Sequence, residues 1–135
     1  MNDQVQAELK KIFNNRFSTS ESTRANYARG EDTYDPILSK AVVFPETNEE
    51  VSKILRLCNQ HKVPVVPFGT GTSLEGNVVG NDKGITISLE KMNKILSVNV
   101  EDFDCRVQAC VTKEQLNDYL REDGVFFPID PGANA

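Results

Sequence analysis

The segment PFGTGTSLEGN, residues 67–77, concentrates residue types that bind phosphate. Gly69, Gly71 and Gly76 lack side chains, so backbone N–H groups can approach a ligand closely, and threonine and serine hydroxyls add further donors. We therefore expect a loop whose amides bind an anionic group such as a diphosphate. The alternative is that these glycines only form tight turns between strands.

The spacing of these glycines fits neither of the two best-known nucleotide-binding motifs. Leu74 occupies the third glycine position of GxGxxG, and no capped amphipathic helix is predicted directly behind it. Gly71 and Gly76 have the separation of a P-loop, but Asn77 stands where the lysine would be. A Rossmann dinucleotide site and NTPase chemistry are therefore disfavoured.

Groups for other chemistry are scarce in this sequence. His61 is the single histidine, and we assign it to a helix C-terminus, where a cation meets the helix dipole favourably. Cys58, Cys105 and Cys110 lie in apolar periodic segments without CxxC spacing, so we expect three buried thiols rather than a disulfide or a zinc site. We assign no catalytic and no metal-binding residue.

Charge and hydropathy limit the partners. The net charge of -5 over 135 residues disfavours nucleic acid as a partner. No apolar stretch approaches the roughly 20 residues that span a bilayer, and the start MNDQVQAELKK lacks the hydrophobic core of a secretory signal. We predict a cytoplasmic protein without a transmembrane segment. Peripheral membrane association, the electron acceptor and the oligomeric state stay open.

The elements that position the loop follow from hydrophobic periodicity. Helices are predicted at residues 3–13, 21–27, 49–61 and 113–124, with a short helical turn at LEKMNK, residues 89–94. Strands are predicted at residues 41–44, 63–67, 84–89, 95–100 and 104–111, and EDTYDP, residues 31–36, is predicted as an exposed turn. Thr47 with Glu50, and Thr112 with Gln115, have the spacing of capping boxes.

The order of these elements predicts the fold class. A strand, a helix and a strand over residues 41–67 favour two parallel neighbours with a right-handed crossover, and they place the glycine loop at the carboxyl end of the second strand. Strands 95–100 and 104–111 favour a hairpin. We predict an α+β fold in which a small parallel strand–helix–strand subdomain leads into an antiparallel or mixed sheet.

Four segments, in this order and spacing, carry a resemblance to a known family: AVVFPETNEEV, VPVVPFGTGTSLEGN, VEDFDCRVQACVTKEQLNDYL and FFPIDPGANA. They resemble the FAD-binding domain, of the para-cresol methylhydroxylase type, of the D-lactate dehydrogenase and glycolate oxidase flavoproteins, over about residues 31–135. The resemblance implies that the glycine loop binds the pyrophosphate of FAD. It also implies that a predicted type II turn after Asp130 begins a second loop beside the flavin.

The cofactor-binding residues that this resemblance implies form two groups along the chain. They are Pro67, Phe68, Gly69, Thr70, Gly71, Thr72, Ser73, Leu74, Gly76 and Asn77 in the glycine loop, and Pro131, Gly132 and Ala133 in the second. Family members continue past the position of Ala135 and carry a substrate domain. Residues 1–135 are therefore expected to be a truncated amino-terminal part of an FAD-binding domain, inactive alone.

For the full-length protein, the resemblance implies oxidation of a D-2-hydroxy acid, D-lactate or glycolate. A base takes the hydroxyl proton and a hydride passes to the flavin, which does the difficult chemistry. No catalytic residue in this chain follows from the resemblance. A different class of function also stays open, in which the chain is a stand-alone, non-catalytic module that binds a nucleotide or phosphate.

Overall fold

The computed structural model describes residues 3–130 and 132–134. The chain forms two compact units, Met1–Lys91 and Met92–Ala135. The helices are α1 (Asp3–Phe13), α2 (Glu21–Asn26), α3 (Asn48–Gln60) and α4 (Lys113–Leu120), and 3-10 turns follow α1 and α4 at Asn14–Arg16 and Arg121–Asp123. The strands are β1 (Phe17–Ser18), β2 (Val42–Val43), β3 (Val65–Phe68), β4 (Ile85–Ser88), β5 (Ile95–Asn99) and β6 (Asp104–Val107).

The sheet of the first unit has the order β1-β2-β4-β3. Both β2 and β3 run parallel to β4, and β1 is antiparallel to β2. The predicted parallel direction is correct, but the prediction that β2 and β3 are neighbours is wrong, because β4 lies between them. Every residue of β4 is buried, and a strand covered on both faces belongs at the centre of a parallel sheet.

Two amphipathic helices supply the core of this unit. α1 buries Val5, Leu9 and Phe13, which follow one another at helical spacing. α3 buries Ile54, Leu57 and Cys58. These side chains join Val43, Ile85 and Ile87 in one cluster, where each large apolar side chain contributes about 1.5–3 kcal/mol.

The apolar periodicity of α1 and that of α3 each include one residue that the structure exposes. Ile12 on α1 and Leu55 on α3 are 44% and 46% exposed. On α3, Leu57 is buried instead of Leu55. The hydrophobic periodicity therefore identifies the buried face of the helix but not every residue at its boundary.

Each of the two predicted capping boxes forms one of its two hydrogen bonds. Thr47 Oγ1 accepts a hydrogen bond from the Glu50 N–H at 3.2 Å, and Thr112 Oγ1 accepts one from the Gln115 N–H at the same distance. Among the described residues, the reciprocal bonds from the Thr47 and Thr112 N–H groups to these side chains do not form, because each side chain has another contact. The Glu50 carboxylate accepts from the Glu46 N–H at 2.7 Å, and Gln115 Nε2 donates to the Asn93 carbonyl at 2.8 Å.

The second unit contains the predicted hairpin as a separate two-stranded antiparallel sheet, β5-β6. The predicted helical turn at residues 89–94 is wrong. Residues Glu90 and Lys91 form a turn, and the backbone then runs beside the segment after β6, with the Cys110 N–H donating to the Met92 carbonyl at 2.9 Å. The backbone after Lys91 is therefore extended and bonded to a neighbouring segment, rather than wound into a helical turn. α4 and its 3-10 turn end at Gly124, which has a φ of 71°.

The prediction of three buried thiols is also wrong. Cys58 is buried in the core, whereas Cys105 on β6 is exposed and Cys110 is half-buried. The apolar pattern around Cys105 suggested burial, but a two-stranded sheet leaves much of its surface open to solvent.

Candidate functional site

The glycine loop, defined as Phe68–Asn77, begins at the carboxyl end of β3. Phe68 pairs with Ser88 of β4, and its carbonyl accepts a hydrogen bond from the Leu89 N–H at 2.9 Å. Its side chain is 6% exposed. The start of the loop is therefore fixed to the central strand, while the residues that follow form no helix or strand.

At two positions of the loop, the fold requires glycine whether or not a ligand binds. Gly71 and Gly76 have φ values of 79° and 72°, in the region that favours glycine. A Cβ on Gly71 would lie 2.8 Å from Cζ of Phe68, and one on Gly76 would lie 2.8 Å from the Tyr34 ring. The chain therefore folds back tightly over two aromatic rings.

Gly69 differs from both. It has no positive φ, and a Cβ built on it would lie more than 4 Å from every described residue other than its two chain neighbours. The protein's own packing therefore does not require glycine there. Space beside a loop backbone is what the close approach of a ligand needs.

Most backbone donors of the loop have no partner among the residues that the structure describes. Across the part of the chain that the structure describes, the N–H groups from Gly69 to Gly76 donate no hydrogen bond. The hydroxyls of Thr70 and Thr72 lie 3.3 Å apart and face each other. Because unpaired N–H groups need water or a ligand, successive free donors can bind an anion without a lysine or arginine.

The other loop positions are more solvent-exposed. Leu74 is 68% exposed and Asn77 is exposed, so neither packs in the core. The carbonyl of Gly76 accepts a hydrogen bond from the Val79 N–H at 3.2 Å, which closes the loop with a turn. Thr70 is exposed, and Thr72 and Ser73 are half-buried.

The predicted exposed turn at residues 31–36, together with the preceding Gly30, contacts the loop. The Glu31 N–H donates to the Ser73 carbonyl at 3.1 Å, and Gly30 lies against the carbonyl oxygens of Gly71 and Ser73. The side chains of this turn are mostly exposed, as predicted. The contacts are made largely by backbone, which explains why side-chain patterning did not find them. A glycine beside an acidic turn was the available signal.

Tyr27 lies beneath the start of the loop. Its ring makes edge contacts with Phe44 and Phe68, at centroid distances of 5.5 and 5.1 Å, and its hydroxyl donates to Glu90 Oε2 at 2.6 Å. Burial, and then the Glu90 carboxylate, raise the pKa of Tyr27 to about 12. The phenol is therefore a neutral donor that fixes this end of the sheet.

Ser88 ends β4 in the same region. Its Oγ is buried and forms no hydrogen bond of acceptable geometry with any described residue. The hydroxyl still lies near enough to Tyr27 to oppose, as the smallest influence, the rise in the pKa of that phenol.

The second predicted group lies in the second unit. Gly132 is exposed with a φ of 82°, as the predicted type II turn requires, and Ala133 is half-buried. Pro131 falls outside the described residues. The Gly132 N–H donates to Asp130 Oδ1 at 3.2 Å, and Lys113 Nζ donates to the same oxygen at 2.7 Å. Lys113 holds the pKa of Asp130 below its ordinary value.

Asn134 fixes the far end of this second segment to α4. Its Oδ1 accepts from the Glu114 N–H at 3.1 Å, and its Nδ2 donates to Glu114 Oε2 at 2.7 Å. The segment is thus held against the first turn of α4 on both sides of Gly132. The ten predicted residues between Pro67 and Asn77 lie in the first unit, while Gly132 and Ala133 belong to the second.

Solved structures show the fold that this chain adopts. An alkyldihydroxyacetonephosphate synthase matches with a TM-score of 0.86 at 21% identity, covering 97% of this chain and 27% of that one. p-Cresol methylhydroxylase matches with a TM-score of 0.73 at 21% identity, covering 91% of this chain and 26% of that one. The chain therefore has the α+β fold of the p-cresol methylhydroxylase type, and the predicted fold class is confirmed.

Sequence relatives are more similar. A probable mitochondrial D-lactate dehydrogenase of Danio rerio is 42% identical over 118 residues, 87% of this chain and 24% of the relative. A mitochondrial D-lactate dehydrogenase (cytochrome) of Arabidopsis thaliana is 37% identical over 131 residues, 96% of this chain and 23% of the relative. A glycolate oxidase subunit of Bacillus subtilis is 31% identical over 117 residues, 87% of this chain and 25% of the relative.

The family model described as "FAD binding domain" matches residues 39–135. The chain belongs to this FAD-binding family, and the prediction of FAD as the cofactor is confirmed. It spans about a quarter of the length of the three relatives. Among the described residues, no group of three His, Cys, Asp or Glu side chains could hold a metal ion, and no helix has the length and apolar character needed to cross a membrane.

Proposed function

We propose that this chain is the amino-terminal part of a longer flavoprotein that oxidises a D-2-hydroxy acid, D-lactate or glycolate. The observation that carries the proposal is the run of N–H groups from Gly69 to Gly76, which donate to no described residue and lie next to a backbone that a ligand can approach at Gly69. The names of the relatives, D-lactate dehydrogenases and a glycolate oxidase subunit, support the substrate class.

The residues fit the cofactor by the chemistry of their donors. The free amides and the hydroxyls of the glycine loop suit a pyrophosphate, and residues 68–77 contain no carboxylate other than Glu75. We propose Pro67 to Asn77, except Glu75, together with Pro131, Gly132 and Ala133, as the cofactor-binding residues. When bound, FAD supplies the hydride acceptor.

The chain's own contribution is to bind and orient the cofactor. Loop amides hold a diphosphate charge, and Phe68 fixes the loop to the sheet, so the position of the flavin follows from the position of β3 and β4. The groups that bind the hydroxy acid and accept its proton are proposed to lie outside residues 1–135. A cytoplasmic location remains our prediction, although the relatives from Danio rerio and Arabidopsis thaliana are named as mitochondrial enzymes.

The visible spectrum of the full-length protein tests the cofactor. We expect a bound flavin that is released on denaturation and identified as FAD. Protein that is colourless and cannot be reconstituted with FAD would refute the proposal. Titration of the 135-residue chain alone should show weak or absent FAD binding.

Anaerobic mixing with candidate substrates tests the reaction. D-lactate or glycolate should bleach the flavin absorbance, and L-lactate serves as the matched stereochemical control. Equal reduction by both lactate enantiomers would contradict the proposed D-specificity. Failure of every hydroxy acid to reduce bound FAD would contradict the proposed reaction while leaving the cofactor assignment intact. Tight binding of ADP without any flavin binding would favour the non-catalytic module instead.

A further inference from the structure

Gly30 approaches the glycine loop more closely than any other residue type could. A Cβ built on Gly30 would lie 2.6 Å from the Ser73 carbonyl oxygen, 3.0 Å from that of Gly71 and 2.9 Å from a methyl group of Val78. The φ of Gly30 is not positive, so backbone conformation does not require glycine there. Glycine is required by the space between two backbone segments.

The contacts fix the direction of two peptide groups. The Ser73 carbonyl points toward Glu31, whose N–H donates to it at 3.1 Å, and the Gly71 oxygen is the nearest Gly71 atom to the position of a Gly30 Cβ. In a trans peptide the C=O and the following N–H point in opposite directions. The N–H groups of Thr72 and Leu74 must therefore point away from residues 30 and 31.

The segment that makes these contacts is itself held in shape. Asp32 accepts hydrogen bonds from the Gly30 N–H at 3.1 Å and the Tyr34 N–H at 3.0 Å, which closes a compact turn. The Tyr34 ring then contacts Gly76 at the far side of the loop. Residues Gly30–Tyr34, which we call the brace, thus contact the loop at its middle and near its end.

We propose that the brace is a positioning element for the cofactor. Gly30 and Glu31 hold the Gly71 and Ser73 carbonyls toward the brace, so that the Thr72 and Leu74 amides on the opposite side face the FAD pyrophosphate. The inference rests on the proposed function. The brace contacts no cofactor atom in this scheme. It sets which face of the loop is positive, because a carbonyl turned toward the phosphate would repel it.

The test is Gly30→Ala in the full-length protein, compared with Gly84→Ala. Gly84 precedes β4, at the opposite end of the sheet from the glycine loop, and a Cβ there would lie 2.3 Å from the Pro64 carbonyl oxygen. Both variants therefore push a methyl group against a backbone carbonyl. Only the first one is next to the loop.

Two quantities are measured on each apoprotein: the melting temperature and the dissociation constant for FAD. Gly30→Ala should weaken FAD binding by about ten- to a hundredfold, the effect of misdirecting one or two hydrogen bonds to a charged group. Gly84→Ala should lower the melting temperature at least as much and leave the dissociation constant within about threefold of wild type. A double variant, Gly30→Ala with Val78→Ala, should not regain affinity, because the Ser73 oxygen is the nearer obstacle.

The outcomes separate this inference from the proposed function. Wild-type protein that does not bind FAD overturns both. Wild-type protein that binds FAD, with a Gly30→Ala variant of equal affinity, overturns the brace alone. Equal losses of affinity in Gly30→Ala and Gly84→Ala, or recovery through Val78→Ala, also overturn it, because the effect would then be general destabilisation or side-chain crowding.

Discussion

Arg16 and Glu50 form a two-armed ion pair between the first turn after α1 and the first turn of α3. Arg16 Nη1 donates to Glu50 Oε2 and Arg16 Nη2 donates to Glu50 Oε1, both at 2.6 Å. Both side chains are 22% exposed. Paired hydrogen bonds of this kind are directional as well as charged, so the contact fixes the 3-10 turn after α1 against the start of α3.

Acid should weaken the fold through this pair. The hydrogen bond from Arg16 lowers the pKa of Glu50 from 4.5 to about 2. Because the folded-state pKa is depressed, the stabilisation is fully present above about pH 4.5 and is lost as the pH falls toward 2. Glu50→Gln should cost about 1–3 kcal/mol of unfolding free energy at neutral pH and flatten this acid dependence. Urea unfolding at several pH values measures both.

The exposed neighbour Glu49 provides the control for Glu50. Glu49→Gln keeps the ion pair, so its unfolding free energy should stay within about 0.5 kcal/mol of wild type. If the two variants show the same acid dependence, the pair does not account for it.

Loss of the Tyr27 hydroxyl should weaken the support of the loop. Tyr27→Phe keeps both ring contacts and removes the bond to Glu90, so the unfolding free energy should fall by about 1 kcal/mol. The raised pKa of Tyr27, about 12, predicts that wild-type stability falls as the pH rises from about 10 toward 12. Tyr119→Phe, at a residue 60% exposed, is the control and should change neither quantity.

Two glycine variants should separate the needs of the fold from those of the cofactor. Gly69→Ala should leave the unfolding free energy within about 0.5 kcal/mol, because nothing lies within 4 Å of the added methyl group, yet it should weaken FAD binding. Gly71→Ala should reduce both, since a φ of 79° costs about 1–2 kcal/mol for alanine and the methyl group meets Phe68.

A third variant, Gly124→Ala, isolates backbone strain. Gly124 has a similar φ of 71° and open space around it, and it lies after α4. The Gly124→Ala variant should have a lower unfolding free energy than wild type and an unchanged affinity for FAD. Full FAD affinity in Gly69→Ala would remove Gly69 from the proposed contact set.

Thiol labelling should rank the cysteines in the order of their exposure. Cys105 is exposed and should react with a maleimide reagent first, whereas burial raises the pKa of Cys58 to about 11 and should leave it unmodified in the native state. Mass spectrometry of peptides after brief labelling reads this out, with Cys105→Ser as the control. Early modification of Cys58 would show that α3 opens readily.

Local patterns predicted most elements of this fold. The spacing of Val5, Leu9 and Phe13 located α1, and the threonines at 47 and 112 located the starts of α3 and α4. The order of strands was not accessible in the same way. Whether β4 lies beside or between β2 and β3 depends on which strand is buried on both faces, a property of the whole sheet.

In the candidate site, too, local features were predictable and features that depend on distant contacts were not. The glycine loop was visible because its glycines, threonines and serine have a direct relation to anion binding. Gly30 was not, because its role depends on contact with a segment about forty residues away in the chain, made by backbone atoms that every residue type shares. Sequence alone also gave no reason to separate Gly69 from Gly71, which differ in φ and in neighbours.

The central place of β4 also sets an order of events during synthesis. β2 and β3 leave the ribosome first, and in the finished sheet both pair with β4 rather than with each other. Until residues 85–88 emerge, the edges of β2 and β3 that β4 later covers are unpaired, and the apolar face of α3 lacks β4 as a partner. Edges of this kind promote aggregation. A pause in synthesis after residue 68 has emerged and before residues 85–88 emerge would therefore expose the chain at its most aggregation-prone stage, and chaperone binding would be most useful then.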